Sequence, residues 1–107
     1  MEVFNLHDMF KGWIIGNFNP SLYKTEQVEI GIKSYKMGDF EPSHFHKIAT
    51  EFTVILDGKV IMNGKEYISG QIIKIPPNFS TDFRAITNVT TVVVKIPGAI
   101  NDKYNNI

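Results

Sequence analysis

The 107 residues carry 11 Lys and Arg against 11 Asp and Glu, so the chain is neutral, and the length suits one domain over residues 1–107 and no second. Charge balance excludes the basic face that phosphate neutralisation demands of a nucleic-acid binder. No apolar run is long enough to span a membrane, and the absence of cysteine excludes disulfides, thiolate ligands and a thiol nucleophile.

Residues 1–5 lack the basic start and apolar run of a signal peptide, so a cytoplasmic protein is expected. Residues 5–11 suit one short helical turn. Residues 12–18 read as an apolar strand whose Trp13 and Phe18 pack on the body of the fold. Val28, Ile30 and Ile32 alternate with Glu29, Gly31 and Lys33, the period of two of a half-buried strand. Residues 52–56 and 92–96 are short β-branched and aromatic runs that favour strands. Asp57-Gly58 and Asn63-Gly64 are dipeptides suited to turns with positive φ, and they predict consecutive hairpins over residues 52–68. Ser69-Gly70 marks another turn. Pro76-Pro77-Asn78 closes a strand over 71–75, because proline cannot donate to a sheet ladder. Thr87-Asn88 separates residues 81–86 from the last strand. Short strands at close spacing predict an all-β sandwich or barrel, with a core over about residues 28–97 and an arm at either end.

The chemistry concentrates at His44, His46 and Glu51. Residues two apart on an extended segment share a face, so the two imidazoles converge while Phe45 points away. Glu51 opens the next strand and adds a carboxylate. Two imidazoles and a carboxylate suit a first-row divalent metal with positions left for water or substrate. The same pair of histidines is also compatible with a plain exposed or hydrogen-bonded role.

The spacing Gly38-x5-His44-x-His46-x4-Glu51-x6-Gly58 resembles the first motif of the cupin superfamily at every defined position. Gly70-x5-Pro76 fits the start of the second motif, with Asn78 in place of its glycine, Thr81 in place of its histidine and Ala85 in place of its asparagine. The resemblance implies a jelly-roll β-barrel, the double-stranded β-helix, often homodimeric, holding iron, manganese, zinc or nickel. It implies His44, His46 and Glu51 as metal ligands, with Glu51 as the proton-transfer base where it is not bound to metal. Because the family includes oxygenases, isomerases, epimerases, storage proteins and sensors, two functions are carried forward. One is a metal-dependent enzyme acting on a small polar or sugar-like molecule; the other is a non-catalytic ligand-binding or sensor module, with or without metal.

Strand parity supplies further expectations. Thr81, Phe83 and Ala85 face inward, with Asp82 and Arg84 outside and Arg84 an exposed salt-bridge partner. Val60, Met62, Ile73 and Ile75 line the barrel. Tyr35, Lys36 and Lys74 are candidates for its mouth, and His7 is a surface residue. Phe52, Val54 and Leu56 share an outer face, an apolar patch that predicts a homodimer.

Overall fold

The β-branched and aromatic runs form ten antiparallel strands in a computed structural model that describes residues 1–99 and 101–105. Numbered in chain order, they are β1 (Trp13–Ile15), β2 (Glu29–Tyr35), β3 (Phe40–Phe45), β4 (Thr50–Asp57) and β5 (Lys59–Met62), followed by β6 (Lys65–Ile68), β7 (Ile72–Ile75), β8 (Thr81–Ala85), β9 (Val89–Ile96) and β10 (Tyr104–Asn105). One five-stranded sheet has the order β1-β2-β9-β4-β7 and the other β10-β3-β8-β5-β6. The expected helical turn is present as two short 3-10 turns, Leu6–Asp8 and Phe10–Gly12. No helix is long and apolar enough to cross a membrane.

The two predicted hairpin turns part company. Asn63 and Gly64, both at positive φ (50° and 77°), join β5 to β6 as a hairpin. Asp57-Gly58 makes no hairpin. Both edges of β4 are taken, by β7 and β9, so the chain leaves that sheet and β5 pairs with β6 and β8 instead. Gly58 (φ 100°) sits at this crossover, where an added Cβ would lie 2.4 Å from the carbonyl oxygen of Asn88. The chain after Pro97 also returns to the body, where β10 pairs with β3.

Between the sheets, Ile55, Val60, Met62, Ile75, Phe83, Ala85 and Val89 form a buried apolar cluster, with Tyr35, Tyr67 and Ile73 packed against it. Removing such side chains from water is the main force holding the sheets face to face. The inward placement of Val60, Met62, Ile73, Ile75, Thr81, Phe83 and Ala85 matches their strand parity. In β2 the apolar set is the outer one: Glu29 and Gly31 are buried, whereas Ile30 and Ile32 are half-exposed. The polar half of that alternation therefore faces the interior, and it supplies part of the site.

Gly38 and Gly58 separate two costs of replacing glycine. Both have φ in the left-handed region, but a Cβ at Gly38 meets nothing within 4 Å. We expect Gly38→Ala to lose about 1 kcal/mol and Gly58→Ala more than about 2 kcal/mol in urea denaturation. Equal losses would show that the crossover backbone yields to the methyl group.

Candidate functional site

Adjoining the apolar cluster, which contributes Met62 and Phe83 to its lining, is a cavity of about 410 Å³ between the two sheets. Its position follows from register. A shift in the β3–β8 pairing between Glu41 and His44 turns both of those side chains inward, and His44 stands opposite Thr81. Across the cavity, β9 runs between β2 and β4 and sets up inward-facing rows. Glu29, Lys95 and Glu51 form one row, Gly31, Val93 and Thr53 the next, and Lys33, Thr91 and Ile55 a third.

His44, His46 and Glu51 all line this cavity, His44 from one sheet and Glu51 from the other. Nδ1 of His44 lies 3.0 Å from the Pro42 carbonyl oxygen, and Nδ1 of His46 bonds the Asp102 carbonyl oxygen. A carbonyl oxygen only accepts, so each Nδ1 carries a proton and each neutral ring keeps its lone pair on Nε2. The rings stand edge to face, with centroids 5.6 Å apart. Nε2 of His46 is buried, lies 3.3 Å from a Glu51 carboxylate oxygen, within ion-pair distance, and has no other partner. A lone pair facing a carboxylate at that distance is repulsive, so the pair requires positive charge, either a proton on Nε2 or a shared cation.

Burial opposes the charge on Glu51, but His46, Lys95 and a 3.1 Å hydrogen bond donated by the Thr53 hydroxyl together outweigh it and hold the carboxyl below its ordinary range. The donor chemistry of the three residues fits a divalent ion: two imidazole lone pairs and an ionised carboxylate. Among the described residues, no three His, Asp or Glu side chains converge tightly enough as they stand to enclose one. Thr81, in the fourth-ligand position of the motif, is buried and lines the same cavity.

Other expectations divide. Tyr35 lines the cavity, donates to Glu41 (3.2 Å), and has its own ionisation pushed up by burial and by that carboxylate. Lys36 and Lys74 do not line it. Lys36 is exposed at the turn capped by Asp39, and Lys74 lies over the Phe52 ring on the outer face. Lys33 and Lys95 take their place on the inner wall, with Lys11 and Lys103 at the exposed rim. Arg84 is exposed as expected, but it rests over the Phe40 ring and has no ion pair among the described residues. His7 is a surface residue beside Asp8.

The sequence reading missed Asp102. Its buried carboxylate accepts hydrogen bonds from the backbone N–H groups of Lys47 (2.9 Å), Ile48 (3.0 Å) and Ala49 (3.0 Å), the loop linking His46 to Glu51. Its own carbonyl oxygen orients His46. Nothing local in an Asn-Asp-Lys tail signals a clasp on a loop more than fifty residues away.

No family model matches the chain, and no curated protein does. Solved structures do. A Klebsiella pneumoniae protein with a double-stranded β-helix domain superposes at TM-score 0.68 with 16% identity, covering 90% of this chain and 84% of that one. An RmlC-like cupin from Shewanella frigidimarina gives 0.66 at 17% identity, covering 73% and 72%. A DMSP lyase from Ruegeria pomeroyi gives 0.70 at 16%, covering 83% of this chain and 48% of the lyase, so the chain spans about half of that enzyme. The chain has the double-stranded β-helix fold of the cupin superfamily.

Asp102 generates a pH test. Burial alone would raise its carboxyl, but the three N–H donors outweigh it and hold the folded value below the ordinary 3.8. A depressed folded value stabilises above the unfolded one, and the gain is lost as pH falls through the folded one. Asp102→Asn should therefore be less stable than the wild type by about 2 kcal/mol at neutral pH, with the gap shrinking below pH 3.8. Urea melts across pH measure it; a gap independent of pH would rule out the charge as the cause.

Proposed function

We propose that the barrel is a small-molecule site and that His44, His46 and Glu51 bind a divalent ion of the iron, manganese, zinc or nickel type. The observation that carries this reading is the buried Nε2 of His46 facing the Glu51 carboxylate with no other partner. Both imidazoles are already held in the tautomer that a metal takes. A bound ion would polarise a substrate oxygen or activate dioxygen. The chain's own residues do the rest. The carbonyls of Pro42 and Asp102 fix the rings, Thr53 holds one oxygen of Glu51, and the depressed Glu51 carboxyl stays ionised at neutral pH. The reading favours an enzyme of oxygenase or isomerase type acting on a small polar or sugar-like molecule.

A second reading takes the 3.3 Å His46–Glu51 contact as a protonated pair and the site as a metal-free acid–base couple. Elemental analysis of the purified protein separates the two. The first expects one equivalent of divalent metal, lost in the His44→Ala/His46→Ala variant while circular dichroism keeps its β signature. Equal metal content in the variant and the wild type would place any ion elsewhere.

We also propose that a second copy covers the outer face of the β2-β9-β4 sheet. Ile30 pairs with Val94, Val94 with Phe52, Ile32 with Val92 and Val92 with Val54, so the half-exposed outer side chains form one continuous apolar surface. Leu56 and Ile72, both more than half exposed, extend it. Light scattering should give the mass of a dimer, and Val54→Lys should give a folded monomer; a monomeric wild type would overturn the proposal.

A further inference from the structure

Four lysines reach the cavity, and the site described above uses only the field of Lys95 on Glu51. Lys33 and Lys95 are on inward-facing positions of β2 and β9, and their ammonium groups lie 5.1 Å and 5.0 Å from the centre of the same Trp13 ring. That ring sits where it does because of Gly31. Trp13 pairs with Gly31, and a Cβ at Gly31 would fall 2.8 Å from the indole. The absence of a side chain at Gly31 thus leaves room for one aromatic ring that both ammoniums approach.

Glu29 and Glu51 flank Lys95 in register and Glu41 acts on Lys33, but only at longer range. Among the described residues neither has a carboxylate within ion-pair distance. Lys33 donates once, to the carbonyl oxygen of Lys11 at 2.8 Å, which leaves two of its protons free. Cation–π attraction orients an ammonium without satisfying its hydrogen bonds. Beside Lys33 in register, Thr91 also lines the cavity, with its hydroxyl fully buried in the wall and without a protein partner.

We propose that the cavity takes a small organic anion, with its carboxylate or phosphate group held between Lys33 and Lys95 on the Trp13 face and its other end directed toward His46 and Glu51. The inference rests on the small-molecule reading of the barrel and adds the charge and orientation of what enters. Lys11 and Lys103, exposed at the rim, add a field that draws anions in. The cavity volume limits the occupant to a small metabolite-sized molecule.

Isothermal titration of the full chain with glycolate, succinate and inorganic phosphate, and with neutral succinamide, tests the proposal. At least one anion should bind, more weakly as salt is raised, and succinamide should bind about tenfold more weakly or not at all. Lys33→Gln and Lys95→Gln should each weaken the anion about tenfold, and Lys33→Arg should restore part of the loss. The stronger of the carboxylate and phosphate probes identifies the head group. Anion binding that persists in His44→Ala/His46→Ala but falls in the lysine variants supports the inference whatever the metal analysis gives. Binding lost with the histidines and unchanged in the lysine variants overturns it and leaves the metal reading standing. Failure of all three anions to bind, or equal binding of succinamide, overturns it as well.

Discussion

Strand β9 pairs along its whole length with β2 on one side and β4 on the other, and those two ladders decide what the cavity contains. A strand's side chains alternate between faces, so a fixed register on both sides fixes entire rows at once. Lys95 comes to lie between Glu29 and Glu51, and Thr91 beside Lys33. A slip of one residue in either ladder would send Lys95 outside and bring Val94 in, which would erase the polar wall and bury the charge of neither acid favourably. The apolar cluster makes such a slip costly, because Val89, on the same strand as Lys95, would turn outward in the same step.

This arrangement divides the interior. Toward β5, β7 and the end of β8, the wall is Val60, Met62, Ile75, Phe83 and Ala85, and its burial carries the stability. Toward β3 and the rim, the buried residues are His44, His46, Thr53, Thr81 and Thr91. Buried polar groups are costly without partners, and the structure meets that cost with local carbonyls, hydroxyls and the Asp102 clasp. Two buried atoms are left without a hydrogen bond, Nε2 of His46, which faces Glu51 at 3.3 Å, and Oγ1 of Thr91, and both residues line the cavity.

Much of this was legible in the chain. The motif over residues 38–58 holds three side chains that line one cavity, and the parity of β8 placed Thr81 and Phe83 inside and Arg84 outside. Positive φ at Gly38, Gly58, Gly70 and Asn78 shows why those positions hold glycine or asparagine. Other features were not legible, for one physical reason: they depend on pairing between distant segments. Asp57-Gly58 has the local chemistry of a hairpin, but the occupied edges of β4 override it. The alternation of β2 announced two faces without saying which was inner, and the apolar one proved to be outer. Lys33, Lys95, Trp13 and Asp102 are unremarkable in sequence and acquire meaning only when β1, β9 and the C-terminal segment fold against the motif.

Charge ties the two halves of the site together. Four ammoniums border a cavity that holds two carboxylates, Glu41 and Glu51. Glu41 is turned toward Tyr35, and Glu51 toward His46 and Thr53, so neither neutralises Lys33 or Lys95 directly. A divalent cation at His44, His46 and Glu51 would add to this excess and be opposed by it unless negative charge enters as well. An anion bridging the lysines and the histidine end removes the opposition, and each ligand then favours the other, since coupling between two sites is reciprocal. The lysine field also keeps the carboxyl of Glu51 ionised, because Lys95 acts on it from the neighbouring strand. The same pairing of β9 with β4 that builds the anion site thus prepares the carboxylate on which the metal-type site depends.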